Sequence, residues 1–174
     1  YALAAMSTRF YGEPSSQMTV VGVTGTNGKT TTSYFTKSII EASGSEAGLI
    51  GTIQYQIGKM VIPAQETTPE SVEIQRYLAE MLKSGIKYAV IEASSHALSQ
   101  HRVEGVRFSS AIFTNLSVEH LDYHANIQNY RAEKLKLVKG LDTEAFAILN
   151  ADHNASKHFA EGTRAQVVWY GIKK

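Results

Sequence analysis

Two glycines, a lysine and two threonines fall within six residues, Gly25-Thr26-Asn27-Gly28-Lys29-Thr30, and no other stretch of the chain is as well suited to chemistry. Glycines at 25 and 28 let backbone N–H groups approach an anion closely. The Lys29 ammonium can span terminal phosphates, the Thr30 hydroxyl can sit on Mg2+, and Thr31 continues the series. An apolar run at 20–23 precedes this loop and a helical pattern at 31–42 follows it. A strand would therefore feed the turn, and a helix N-terminus would add its positive dipole end at the same point. A nucleoside triphosphate such as ATP suits that geometry. The loop is a variant, because the strict pattern G-x-x-x-x-G-K-[ST] puts its first glycine on Val23 while Gly22 stands one residue too early. The alternative is a plain glycine-rich turn in a βα unit.

A Mg2+–nucleotide site also needs a carboxylate at the end of a neighbouring strand. Tyr88-Ala89-Val90-Ile91 runs into Glu92 and then into the polar string Ala93-Ser94-Ser95-His96, which places Glu92 where open α/β sheets bind ligands. A solvated strand end is the competing reading. Past the run at 111–113, Glu119, His120, Asp122 and His124 fall within six residues. Of the three histidines beside strand ends, His96, His120 and His124, only His120 is expected to act as a ligand. His101, His153 and His158 are expected to be surface or hydrogen-bonded structural residues.

These residues must be positioned by a sheet. Apolar runs at 20–23, 48–53, 88–91, 111–113, 145–149 and 166–170 alternate with helical patterns. Most are continuously apolar, as strands buried on both faces of a parallel sheet are. The expected fold is α/β, doubly wound and mostly parallel. A small β-hairpin is added at 54–62, where Gly58-Lys59 makes a glycine-first turn. Thr68 as N-cap with Pro69 at the first helical position opens a helix that turns Ile74, Tyr77, Leu78, Met81 and Leu82 inward and closes at Ser84-Gly85. A second helix begins near Asn126, directs Tyr130, Leu135 and Val138 inward and ends near Gly140. Residues 1–18 read as a helix and a Gly12-Glu13-Pro14 turn, a linker segment ahead of a domain at 19–174.

The 174 residues are 43% hydrophobic, enough for one full core, with a net charge of +1 and interspersed signs. That balance gives no basic face for nucleic acid and no polybasic membrane anchor. No apolar stretch reaches the ~20 residues of a membrane span, and the first ten residues lack a signal-peptide layout. With no cysteine there is neither a disulfide nor a thiolate metal site, and a cytoplasmic location is expected.

Five motifs in order, the 25–30 loop, Thr67-Thr68-Pro69, Glu92-Ala93-Ser94-Ser95-His96-Ala97-Leu98 with Gln100-His101-Arg102, Asn115-Leu116 with His120-Leu121-Asp122-Tyr123-His124, and Tyr130-Arg131-Ala132-Glu133-Lys134, closely resemble the central ATPase domain of Mur ligases, the MurE type above all. Asn150-Ala151-Asp152 fits the same pattern, so the likeness spans essentially the whole chain. The resemblance implies a ligase that uses ATP and Mg2+ to join an amino acid to a UDP-linked muramoyl peptide. It implies that Lys29 and the loop amides hold phosphates, that Thr30 and Glu92 hold one Mg2+, and that His120 holds a second. It further implies that Lys134 is carbamylated (N6-carboxylysine) and serves as a metal ligand, whereas helical patterning alone makes Lys134 a solvated residue. Thr67, Thr68, Ser94, Gln100 and Arg102 resemble positions that contact the muramoyl substrate. Glu119 and Glu66 depart from the aspartate and asparagine common there, and Glu66 bears on substrate recognition. In that family a UDP-binding domain precedes and an amino-acid-binding domain follows. A folylpolyglutamate synthase-like ligase shares the ATP site without the Ser94-to-Arg102 signature, and a non-catalytic nucleotide module would not need Lys134 modified.

Overall fold

The computed structural model describes residues 1–172, so the last two residues of the expected 19–174 domain lie outside it. Eight strands form one sheet in the order β4-β3-β2-β5-β1-β6-β7-β8. They are β1 (Thr19–Thr24), β2 (Ala47–Ile50), β3 (Gln54–Ile57), β4 (Met60–Pro63), β5 (Tyr88–Glu92), β6 (Ser110–Phe113), β7 (Phe146–Asn150) and β8 (Gln166–Tyr170). From β2 to β8 every neighbouring pair is parallel, and β3 and β4 extend the β2 edge as an antiparallel hairpin. Gly58 makes that hairpin turn at φ +60, as its position in the sequence predicts.

The sheet is wound on both faces because both faces of its central strands are apolar. On one face α3 (Ser71–Lys83), α6 (Ile127–Lys139) and α7 (Ser156–Glu161) bring Ile74, Leu78, Val138 and Phe159 onto Val20, Ile91, Phe113 and Leu149. On the other, α2 (Lys29–Ala42) packs Tyr34 and Ile40 against Val21, Val23, Leu49 and Val90. Residues 1–18 form α1 (Ala2–Phe10), which lies against α3, and a 3-10 turn at Pro14–Gln17. Among the described residues no helix is long and apolar enough to cross a membrane.

Helix α6 starts and stops as expected, with the Asn126 side chain accepting from Asn129 N at 2.8 Å and Gly140 at the C-cap. Several boundaries shift by a residue or two, and two features differ by more. The run at 48–53 leaves the sheet after Ile50, and Gly51 passes so close to Glu92 that a Cβ on it would lie 2.2 Å from Oε1. Thr68 does not cap α3. The helix opens two residues past Pro69, behind an extended Glu70 whose side chain makes no cap, and the Thr68 hydroxyl is spent elsewhere.

Candidate active site

β1 is central, with β5 on one side and β6 on the other, both parallel to it, and the order in which the chain adds strands switches sides there. The carboxyl ends of these three strands therefore open a crevice, the usual ligand position in such sheets. The 25–30 loop sits there. Gly25 takes φ +145, and a Cβ on it would come 1.9 Å from Thr114 Oγ1, so only glycine fits. Gly28 takes φ +82 at the N-cap of α2. The first-turn N–H groups of this 14-residue helix, at Lys29, Thr30 and Thr31, have no intrahelical acceptor and face the crevice end of the dipole.

The loop is clasped from β6. Thr114 Oγ1 donates to the Asn27 carbonyl at 2.7 Å, Asn115 Nδ2 donates to the same oxygen at 3.0 Å, and Asn115 Oδ1 accepts from Asn27 N at 3.0 Å. Thr26 Oγ1 lies 3.3 Å from the Tyr130 hydroxyl and accepts from Ser117 N at 3.0 Å. A loop fixed this way has already met its ordering cost before a ligand arrives.

Lys29 folds back over the loop, its Nζ donating to Gly25 O at 3.1 Å and Thr26 O at 2.9 Å. Burial pushes its ammonium down, opposed by Glu92 and Glu119. Lys134, which sequence patterning puts in solvent, is 1% exposed. Its Nζ donates to the same Gly25 carbonyl at 2.8 Å and stands 4.5 Å from the Tyr130 ring centroid. Burial, reinforced by the Lys29 charge and partly offset by Glu119, pushes it down to about 7.

Glu92 ends β5 fully buried. Thr30 Oγ1 donates to its Oε2 at 2.9 Å, which puts the loop hydroxyl and the carboxylate side by side. Thr52 Oγ1 donates to the same oxygen at 3.0 Å and Thr52 N to Oε1 at 3.2 Å. Gly51 and Thr52 fall inside the run at 48–53, which the sequence suggests only as a strand. The available signal was that Gly51-Thr52 follows an apolar strand much as Gly25-Thr26 does. Among the described residues no group of three or more His, Asp or Glu side chains could hold a metal by itself. Mg2+ bound with a nucleotide takes only one or two protein carboxylates, the phosphates supplying the rest. One buried, hydrogen-bonded carboxylate beside a threonine hydroxyl fits that requirement.

His120 caps the short α5 (Leu121–His124) at φ +56, its ring 5.1 Å from that of His96 and 6.1 Å from that of Tyr130. Tyr130 thus has His120 and Lys134 around one ring. His124 is turned inward, its Nε2 3.0 Å from Ser95 Oγ. Burial holds both His96 and His124 below the usual imidazole value. His153, expected to be structural, accepts from Leu116 N at 3.3 Å.

The remaining predicted residues line the wall toward the hairpin. Ser94 caps α4 (Ser95–Ser99) by accepting from Ala97 N. The Thr68 hydroxyl, in a residue 1% exposed, donates to Glu92 O at 2.6 Å and accepts from Ser94 N at 3.1 Å. It is an internal latch, and Thr67 is the more open of the pair. Arg102 donates to Thr68 O at 3.0 Å and to Gln100 Oε1 at 2.8 Å, and pairs with Glu70 at 3.1 Å and with Glu66.

A mostly parallel sheet with helices on both faces and a clasped glycine–lysine loop at the carboxyl end of its central strand, faced by a buried carboxylate, belongs to the class of doubly wound α/β domains. The chain belongs to the Mur ligase middle domain family, which it matches over residues 23–174. It is 43% identical over 172 residues to a UDP-N-acetylmuramoyl-L-alanyl-D-glutamate–2,6-diaminopimelate ligase of Caldanaerobacter subterraneus subsp. tengcongensis, covering 99% of this chain and 35% of that protein. To the ligase of the same name from Halalkalibacterium halodurans it is 46% identical over 175 residues, covering 99% and 36%. The chain thus spans about a third of the length of these relatives. A solved structure of a ligase of that name superposes with TM-score 0.81 at 29% identity, covering 90% of this chain and 32% of the other. Mycobacterium tuberculosis folylpolyglutamate synthase, solved with ADP and AMPPCP, shares the fold at TM-score 0.72 and 14% identity, covering 98% and 48%.

Proposed function

We propose that this domain is the ATP-binding core of a ligase of peptidoglycan precursor synthesis. The whole enzyme adds an amino acid, diaminopimelate or lysine, to UDP-N-acetylmuramoyl-L-alanyl-D-glutamate. The names of the relatives favour diaminopimelate. The observation that carries the reading is the convergence of Lys29, Lys134, Thr30 and Glu92 on the loop at the end of β1.

In the reaction a substrate carboxylate oxygen attacks the γ-phosphorus of ATP, and the bond to the bridging oxygen breaks to release ADP. The amine of the incoming amino acid then attacks the acyl carbon, and phosphate leaves with the former carboxylate oxygen as the amine loses its proton. No protein nucleophile is needed. The chain's own work is positioning and charge neutralisation. The loop amides of residues 25–31 and the Lys29 ammonium hold phosphate oxygens. Thr30 and Glu92 would hold one Mg2+, which when bound neutralises charge on the transferring phosphoryl group.

Lys134 supports the carbamate reading through its surroundings. A lysine near neutrality supplies unprotonated amine at pH 7, which can attack CO2, forming an N–C bond and releasing a proton. The product would be an anion beside Lys29, converting a repulsive pair into an attractive one, and the carbamate oxygen and His120 would hold a second Mg2+. Ser94, Gln100, Arg102 and Thr67 form the muramoyl-substrate wall, with Arg102 taking an anionic group of that substrate. Thr68 holds that wall together. Such an enzyme works in the cytoplasm, with domains on either side of this one supplying the UDP and amino-acid sites. The 174 residues alone are expected to bind nucleotide weakly and not to ligate.

The test is phosphate release by the full-length protein with UDP-muramoyl dipeptide and a panel of amino acids, beside a folate substrate. Release dependent on the muramoyl substrate is expected, and release with folate alone would overturn the reading.

A further inference from the structure

Gly51 and Thr52, just past β2, belong to none of the motifs that identify the domain, yet among the described residues Thr52 alone makes two of the three hydrogen bonds to the Glu92 carboxylate, the third coming from Thr30. The Thr52 hydroxyl has one hydrogen. Spent on Glu92 Oε2 at 3.0 Å, it leaves Thr52 Oγ1 as the acceptor for the Thr67 hydroxyl 3.1 Å away. A continuous chain results, in which Thr67 on the substrate wall donates to Thr52 and Thr52 donates to the carboxylate beside the phosphate loop. Gly51 closes the box, since any side chain there would put a Cβ 2.2 Å from Glu92 Oε1.

We infer that Thr52 is a positioning residue that fixes the rotamer of Glu92 for metal binding and couples it to Thr67, and that Gly51 is required for the carboxylate to fit. The inference rests on the proposed metal role of Glu92. Carboxylates that bind metal lose affinity when their outer hydrogen bonds are removed, typically by about 10-fold or more. Thr30 cannot take over, because its hydroxyl sits on the same Oε2 and would itself face the metal. Among the described residues only Thr52 N donates to Oε1. Thr52 is also solvent-facing, so removing its hydroxyl leaves the core packing intact.

The experiment measures Mn2+ binding by electron paramagnetic resonance to the full-length ligase with a non-hydrolysable ATP analogue. Wild type is compared with Thr52→Val, Thr52→Ala, Thr52→Ser and Glu92→Gln. Thr52→Val and Thr52→Ala are expected to weaken Mn2+ binding about 10-fold, Thr52→Ser to restore it, and Glu92→Gln to lose the site. Wild-type affinity in Thr52→Val and Thr52→Ala, with Glu92→Gln impaired, would overturn this inference alone. Undiminished binding in Glu92→Gln would overturn the metal reading and this inference with it. Unfolding of both hydroxyl-free variants would show that the hydroxyl serves the fold, and would overturn the inference as well.

Discussion

Lys29 and Lys134 donate to one acceptor, the Gly25 carbonyl, at 3.1 and 2.8 Å. Burial, reinforced by the repulsion between two ammonium groups on one oxygen, lowers Lys134 to about 7. Its folded value lies below the unfolded 10.5, so the unfolded chain binds more protons between those limits and stability rises as pH climbs from about 7 toward 10.5. Below about 7 the penalty is present in full. Lys134→Met is expected to melt higher than wild type at pH 6 in bicarbonate-free buffer and to lose the gain in stability between pH 7 and 9. A variant that melts lower at pH 6 with the same pH slope would contradict the assignment.

With carbon-13 bicarbonate present, the full-length wild type is expected to show a carbamate carbon resonance that Lys134→Met lacks. A resonance of equal intensity in the variant would place any carbamate elsewhere.

The two loop glycines should differ in cost. Gly25→Ala forces a Cβ to 1.9 Å from Thr114 Oγ1 and is expected to destabilise by more than about 3 kcal/mol. Gly28→Ala meets nothing within 4 Å and should cost only the roughly 1–2 kcal/mol of its left-handed conformation. Denaturant titration of both variants checks the ordering.

Thr67 and Thr68 are neighbours with different work. Thr68→Val strands Glu92 O and Ser94 N without their partner and is expected to cost about 1–3 kcal/mol in stability. Thr67→Val should leave stability within about 0.5 kcal/mol and raise KM for the muramoyl substrate. Equal stability losses in the two variants would refute this division.

Arg102 is already paired with Glu66 and Glu70, so an anionic substrate must displace carboxylates to reach it. Glu66→Gln is expected to lower KM for the muramoyl substrate several-fold while leaving kcat unchanged. A raised KM would mean that Glu66 orients Arg102 for the substrate instead of competing with it.

Patterning in the sequence carried the sheet well, because parallel central strands such as β1 and β5 are apolar on both faces and end in sharp polar breaks. The positions of the 25–30 loop and of Glu92 were legible for the same reason, each following directly from a strand end. Lys134 was not. Its helix carries Arg131, Glu133 and Lys136 nearby, and nothing local says that one lysine of this polar series turns inward onto Gly25 O. Thr68 misled because Thr-Pro is the usual helix start, whereas here the hydroxyl serves a strand end distant in sequence. Thr52 was invisible for a related reason, since a lone threonine after a strand has meaning only once Glu92 is beside it. Contacts across the sheet decided all three, and local sequence does not encode them.

The most direct test of the central claim follows an oxygen atom. The reacting side-chain carboxylate of UDP-N-acetylmuramoyl-L-alanyl-D-glutamate is labelled with oxygen-18 and turned over by the full-length enzyme with ATP and diaminopimelate, and the released phosphate is weighed. An acyl phosphate formed at the 25–30 loop predicts one labelled oxygen in each inorganic phosphate, and no ADP or labelled phosphate from Lys29→Ala. Unlabelled phosphate, label appearing in AMP, or near-normal turnover by Lys29→Ala would contradict it.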